Sequence, residues 1–507
     1  VAADSKRHQG KRLNLSLFTL NPLKSLLSRP GVAVAAIAGY AVLLAVAIAM
    51  NYLFFAALPL VLAALALALV RRDLLMWAIT AMVPLSMSLE DLGIGGLGLY
   101  LPTEPLLFGL LLLFLLDRIG RIPMQNQVMS HPIARIIAAM FIWLLLTTVT
   151  SFDPLVSLKF TIARAWFVVG FFFILIPLFS SRKGQQRFVA LYLSTLTLVI
   201  GYTLVRHAGY GFDKDAGHWV MSPFFKDHTS YGAVLAMMFF PAVALAMQRK
   251  DALVRLATAT AVLVLSVGLI FSFTRAAWLS IAAAGGLGVL IYFGVRLRTL
   301  ALVGCVLGIF IWGAKDQLLI SMERNTQDSS DNLTEHVESM SNVSSDASNL
   351  ERINRWNCAL ALFYERPLTG WGPGTYQFVY APFQRSVDRT IISTNNADKG
   401  NAHSEYLGPL AEQGVLGMLI MLALLWWASD MGFRLVQHFK ATGNREQMLW
   451  ALAVYLGLMT YFIHGVLNNY LDTDKASALF WGFLAILVAM DLQRKRQVNS
   501  AVSSAGG

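Results

Sequence analysis

Long apolar runs separated by short basic stretches form the pattern of this chain, and they recur from Gly31 almost to Asp491. About 20 helical residues cross the ~30 Å hydrocarbon layer of a bilayer, and many of the runs reach that length. The pattern predicts helices at roughly 31–49, 52–70, 73–88, 103–117, 134–150, 160–179, 187–206, 229–247, 254–272, 275–293, 299–313, 407–428, 448–469 and 476–490. The third and fourth are short enough to tilt or re-enter, so about 12–14 crossings are expected. The expected fold class is all-α: a polytopic integral membrane protein with one long polar loop that contains short helices.

Composition agrees. Of 507 residues, 56% are hydrophobic and 14% charged, whereas soluble domains carry about 25% charged residues. That excludes a soluble domain, a disordered chain and a collagen. Two cysteines, Cys305 and Cys358, exclude a disulfide framework or a cysteine metal site. The net charge of +11 raises the question of nucleic acid. Its distribution answers it. Most Lys and Arg cluster in alternate connections, as cytoplasmic loops require. The basic excess is thus a topology signal, with membrane lipids rather than nucleic acid as partner. The expected division is a cytoplasmic segment at 1–30, transmembrane helices at 31–313, an outer loop or lid at 314–406, further transmembrane helices at 407–490 and a cytoplasmic tail at 491–507. No cleavable signal peptide and no internal repeat are expected. Within the loop, Asp328 to Asn349 has a flexible composition. Residues 351–365 have helical spacing, with Ile353, Trp356, Ala359, Leu360 and Phe363 on one side. Beside a bilayer such a helix is expected to lie at the interface or form a lid, with a plain packed loop helix as the alternative.

Six of nine histidines fall on the outer side in this topology: His207, His218, His228, His336, His403 and His464. No zinc-hydrolase spacing is present. Arg164, Arg206 and Arg275 lie at outer span ends, where arginine either snorkels to headgroups or, by its planar fork, holds phosphate. His403 precedes a span with Glu405 and Glu412 after it; a neutral imidazole oriented by a carboxylate can accept a proton. Gly414 and Gly417 would permit close helix approach. Lys226, Asp227 and His228 stand together at another span start, as a cap or as substrate ligands. Two acidic pairs, Glu90/Asp91 and Asp472/Asp474, read as solvated turns or, less readily, as a divalent-metal site.

Four segments, in order, resemble the O-antigen ligase and polymerase superfamily. They are K-D-H-T-S-Y-G-A (226–233), T-R-A-A-W-L-S (274–280), R-x-x-x-W with P-L-T-G-W-G-P-G-T-Y (352–356 and 367–376), and A-H-S-E-Y-L-x-x-L-A-E-Q-G-x-x-G (402–417). The resemblance covers about 220–420. It implies a metal-independent glycosyltransferase of the bacterial inner membrane, without a cofactor and with a periplasmic site. The implied donor is a glycan on undecaprenyl pyrophosphate, and the implied acceptor a sugar hydroxyl of lipid A core or of another glycan. His403 would be the base, Arg275 a pyrophosphate contact, and Arg164 or Arg206 the second arginine, Arg164 being preferred. Arg352, Arg355, Trp356 and Trp371 would serve the loop, its tryptophans closing over the glycan. His228 and Ser404 depart from the family's commoner Pro and Asn.

The chemistry fits independently. No nucleotide sugar is available outside the membrane, so the leaving group must arrive activated, and arginines offset the charge that develops on it. Rival readings are a polymerase, a metal-dependent transferase built on the acidic pairs, and a transporter of lipid-linked glycan. The last would call for a repeat and midplane charges, and neither is seen.

Overall fold

The computed structural model describes residues 38–42, 46, 58–90, 98–120, 126–300, 302–304, 306, 347–389, 393 and 400–505. The expected spans at 31–49 and 299–313 fall largely outside these residues, as do Asp91, Cys305, His336 and nearly all of the stretch from Asp328 to Asn349. Two compact units divide the chain, Val1–Arg71 and Arg72–Gly507. The first contains helix α1, Leu58–Val70, apolar at every position.

The second unit opens with α2, Arg72–Met82, then a tight turn at Val83–Leu85. A single helix was expected over 73–88. Pro84 stands at the start of the turn, and proline cannot continue the α-helical ladder. A minimal antiparallel hairpin follows, β1 (Met87–Ser88) pairing with β2 (Tyr100–Leu101), and then α3, Thr103–Ile119. Nine helices among the described residues are long and apolar enough to cross a membrane. Six precede the polar segment: α4 Pro132–Val149, α5 Pro154–Leu178, α6 Arg182–Ala208, α7 His228–Gln248, α8 Ala252–Ile270 and α9 Arg275–Tyr292. The polar segment contributes α10, Ala347–Glu365. The last three are α11 Leu407–Ala441, α12 Arg445–His464 and α13 Asp474–Ala505. The chain is an all-α polytopic membrane protein.

Side-chain caps set several helix starts. Asp153, Ser181, Asp227, Asp251 and Asn444 each accept a backbone N–H from the first turn, which otherwise has no partner. Capping explains why α5 begins at Pro154 rather than near 160. The cap and Pro154 start the helix before the apolar run does.

Burial ranks the helices. In α13, 94% of the apolar window is buried, against 11% in α8. The late helix α13 is thus the centre, and α8 presents its apolar surface outward, as a lipid-facing helix does. The start of α13 carries a buried charge pair. Asp474 and Lys475 are 0% and 3–4% exposed, with Nζ 3.3 Å from the carboxylate. Asp474 also accepts from Ser86 Oγ at 2.5 Å and Thr103 Oγ1 at 2.6 Å, while Lys475 donates to Ser86 O at 3.1 Å. The expected solvated turn is therefore, at Asp474, a buried clasp between α13 and the hairpin. Removing one partner of such a pair costs about 3–5 kcal/mol because the other charge stays buried. Lys475→Met is expected to lower stability by that amount in denaturant titration of the purified protein, and Asp474→Asn added to it to recover part of the loss. A change below about 1 kcal/mol in the single variant would show that the clasp is dispensable.

Candidate active site

The site is assembled where the starts of α7, α9, α11 and α13 meet the polar segment. Asp227 caps α7, its Oδ1 accepting from Ser230 N at 2.7 Å and Thr229 Oγ1 at 2.7 Å. Thr274 Oγ1 donates to His228 O at 2.8 Å. A Cβ on Gly232 would lie 2.6 Å from Thr274, so only glycine admits this approach. Trp278 Nε1 donates to Leu269 O at 2.8 Å, tying off the end of α8. These bonds give T-R-A-A-W its spacing: Thr and Trp dock the turn, and Arg275 between them is held in electrostatic range of His228 and Arg352.

Of the two readings of helix α10, an interfacial or lid helix and a packed loop helix, the structure shows packing, against the polar segment and the start of α11. Cys358, Ala359 and Leu362 are buried against Tyr376, Val379, Tyr380, Ala402 and Ala411. The helical period is as expected, but the buried stripe runs through Glu351, Asn354, Arg355, Cys358 and Leu362. Its first members are polar because they satisfy one another. Arg355 Nε donates to Glu351 at 2.6 Å, and Asn354 Nδ2 donates to Gln384 Oε1 at 2.9 Å. Burial pushes the Glu351 carboxyl up, but hydrogen bonds from Ser393, Arg355 and Asn354 outweigh it and leave the group below its usual range. Trp356 Nε1 donates to His403 O at 3.4 Å, and His403 N donates to Asn401 Oδ1 at 3.0 Å. Between these two bonds His403 takes φ +46, a region that non-glycine residues seldom occupy and that surroundings must enforce.

The glycine-rich stretch 367–376 repairs a broken helix. Within α11, Gly414 has φ 70 and ψ −168, which leaves neighbouring backbone groups without helical partners. The stretch supplies them. Trp371 N donates to Ala411 O at 3.1 Å, Gly372 N to Glu412 O at 2.7 Å, and Val415 N donates to Pro367 O at 2.9 Å. Tyr376 N donates to Glu412 Oε1 at 3.0 Å. Gly414 was expected to allow close helix packing; its conformation serves the break instead. Glu405 is likewise a brace. Its carboxylate accepts from Tyr470 N at 2.9 Å, Leu471 N at 3.0 Å and the Tyr461 hydroxyl. Neither Glu405 nor Glu412 hydrogen-bonds the His403 ring among the described residues. Ser404 Oγ accepts from Tyr406 N and Leu407 N, both at 3.3 Å, so this departure from the commoner Asn caps α11.

Two cavities adjoin. One, of about 550 Å³, is lined by Asp227, His228, Arg352, Arg355, His403 and Lys475. The other, of about 670 Å³, is lined by Arg164, Tyr376, Glu405 and Glu412. Both share Glu90, Lys226, Gly400, Asn401, Asn469 and Asp472. The first chamber is rich in cations and the second in carboxylates. Of the three arginines expected at phosphate, Arg164 alone lines a chamber, the acidic one, with its guanidinium 5.2 Å over Phe160. Arg275 lies beside the first chamber without lining it. Arg206 lines neither; it donates to Ser222 O at 2.6 Å and Tyr202 OH at 3.2 Å. Trp356 and Trp371 also line neither; Trp356 is tied to His403 O, and Trp371 bonds Leu362 O at 3.0 Å with the Arg366 guanidinium 4.1 Å over its ring. Lys226 and Asp472, at the junction, drew less notice in the sequence, though Lys226 opens a recognised segment. Burial pushes the Asp472 carboxyl up to about 6, the Glu405 charge adds to this, and Arg164 and Lys226 oppose it. For His403, burial and then the Arg352 and Arg355 charges lower the imidazole to about 4. The ring is therefore neutral at pH 7 and can accept a proton. Among the described residues, no three His, Cys, Asp or Glu side chains are grouped to hold a metal ion.

Residues 259–422 match the family model described as O-antigen ligase. Over that stretch, about a third of the chain, the sequence is similar to the O-antigen ligase family. The matched stretch contains Arg275, the α10 arginines, the glycine-rich stretch, His403, Glu405 and Glu412. Arg164, Asp227 and His228 lie before it. No curated protein matches the chain.

Two outcomes follow for the matched stretch. A Cβ on Gly370, at φ +66, would lie 2.3 Å from the Glu412 carbonyl carbon. Gly370→Ala is expected to detach the stretch from α11, seen as new proteolysis between 367 and 376 and loss of about tenfold or more in activity; strain of this kind costs about 1–3 kcal/mol. The second concerns pH. His403 titrates near 4 folded and near 6.5 unfolded, so between those values the unfolded chain binds the extra proton. Its contribution to stability falls as pH drops from about 6.5 to about 4 and is level below that. A His403→Gln variant should show a shallower loss of stability across that window in thermal unfolding; an unchanged slope would refute the buried neutral ring.

Proposed function

We propose that this protein is a metal-independent inverting glycosyltransferase of the bacterial inner membrane, with cytoplasmic termini and the two chambers on the periplasmic face. Its donor is a glycan on undecaprenyl pyrophosphate and its acceptor a sugar hydroxyl of lipid A core. The observation that carries the reading is the neutral, strained His403 in a chamber whose cations face it. The pyrophosphate occupies the first chamber beside Arg352, Arg355 and Lys226, with Arg275 adding long-range charge. The acceptor sugar enters from the carboxylate-lined second chamber, where Glu405, Glu412 and Asp472 can accept its hydroxyl hydrogens.

His403 takes the proton of the acceptor hydroxyl as its oxygen attacks the anomeric carbon. The bond from that carbon to the phosphate oxygen breaks, and the electron pair leaves with undecaprenyl pyrophosphate. One displacement inverts the carbon. The cations stabilise charge that grows on the leaving group. A ring with a pKa of about 4 is a weak base at pH 7. Burial lowers it most and the Arg352 and Arg355 charges add to this; pyrophosphate beside those arginines offsets their share and raises the basicity of the ring.

The test is transfer by the purified protein from lipid-pyrophosphate-linked glycan to lipid A core or, separately, to glycan on its own carrier, with and without EDTA. Chelator-resistant transfer to lipid A core, reduced about 10²–10⁴-fold in His403→Ala, is expected. Elongation on the carrier alone would make the protein a polymerase. Chelator-sensitive transfer, or full activity without His403, would overturn the mechanism.

A further inference from the structure

Arg206, which lines neither chamber, organises a set of aromatic rings. Its guanidinium lies 4.9 Å over the Trp219 ring while Nη1 donates to Ser222 O at 2.6 Å. Tyr202 OH donates to the same carbonyl at 3.1 Å. Tyr210 meets Trp219 edge-on at 4.9 Å, and Tyr202 meets Phe224 edge-on at 5.3 Å. The outer rings are open: Tyr202 and Trp219 are 40% exposed and Tyr210 51%. The innermost ring is not an outlier of this set but part of the site, since Phe224 lines the first chamber. The two ring pairs, bridged by the Arg206 guanidinium, therefore lead from the chamber wall to the protein surface.

Exposed Tyr and Trp at a membrane edge commonly rest among lipid headgroups. Such anchors need no connection to a cavity and no shared fixing point. Here one carbonyl and one guanidinium fix Tyr202 and Trp219 together, and the path begins where the reacting end of the donor would lie. In an edge-on pair one ring's edge meets one face of the other, and Arg206 covers one face of Trp219. The exposure of Tyr202, Trp219 and Tyr210 still leaves ring surface open, and an aromatic face packs on the apolar C–H face of a sugar. Rigid aromatic side chains do this at low entropic cost.

We propose that Tyr202, Trp219 and Tyr210 form a ledge that binds the glycan of the donor beyond the sugar that reacts. This rests on the glycosyl-transfer reading. The ledge lies outside the chamber, so it adds nothing to a donor with one repeat unit and favours donors with several. Arg206 is its positioning residue, acting through Trp219 and Tyr202.

The experiment uses the full chain in lipid nanodiscs and undecaprenyl-pyrophosphate-linked oligosaccharides extracted from cells that express it, separated by length. For Trp219→Ala and Tyr210→Ala, kcat/KM is expected to fall roughly tenfold on long donors, through KM, and to stay within about twofold on single-repeat donors, as expected for loss of one aromatic contact. Trp219→Phe, which keeps a ring, should retain most of the preference for length. A polarity-sensitive fluorophore on Asp215→Cys, in the turn before Trp219, supplies a readout independent of turnover. Its emission should shift when oligosaccharide released from the lipid by mild acid is added. Equal effects on both donors, or a probe that responds to spin-labelled lipid and not to released oligosaccharide, would overturn the ledge and assign the rings to the bilayer. If unmodified protein transfers no donor at all, the glycosyl-transfer reading fails, and the response of the probe to released oligosaccharide still decides the ledge.

Discussion

The break in α11 at Gly414 is the constraint on which the site depends. A helix interrupted at a membrane end exposes backbone groups that neither lipid nor neighbouring side chains satisfy well. The protein answers with the backbone of another segment. Trp371 and Gly372 donate to the carbonyls before the break, Pro367 accepts from the amide after it, and the Glu412 carboxylate bonds the amide of Tyr376. The glycines at 370, 372 and 374 all adopt positive φ and lie too close to α11 or to α5 and its preceding turn for easy addition of a Cβ. The glycine-rich motif is thus a splint for the helix. Once it is in place, α10 packs on it, Trp356 reaches the carbonyl of His403, and the imidazole acquires its position.

The second organising principle is the separation of charge across adjoining chambers. Arg352 and Arg355 face His403 in one, while Glu405 and Glu412 stand in the other with Arg164. Lys226 and Asp472 belong to both. In the reaction we propose, an anionic leaving group and a hydroxyl-bearing acceptor make opposite demands, which chambers of differing charge can meet. This partition gives the carboxylates after His403 a use that does not require contact with its ring.

Much of this was legible in the sequence, and the failures share a cause. Spans were readable because lipid-facing helices must be apolar throughout. Their starts were less so, since Asp153 and Asp251 look like loop residues until their carboxylates are seen on backbone amides. The four segments were recognised in order, and three of them meet at the first chamber. The phase of α10 was misjudged because Glu351 and Arg355 pair with each other and are buried, whereas a sequence reading assigns charged residues to water. Trp356 and Trp371 were expected at the glycan because tryptophan faces suit sugars, yet neither lines a chamber, and the Arg366 guanidinium lies over the Trp371 ring. Arg206 was ambiguous too. Nothing in its neighbours along the chain discloses that Ser222 O lies within its reach.

The burial of α13 has a consequence for how the protein is made. This helix leaves the ribosome after every other described helix, yet it is the most enclosed of those that span. The earlier described helices are therefore made before the helix that they enclose. Asp474 and Lys475 then have to find Ser86 and Thr103, nearly 400 residues back in the chain. Among the described helices, α13 is thus a keystone set after the arch that it locks.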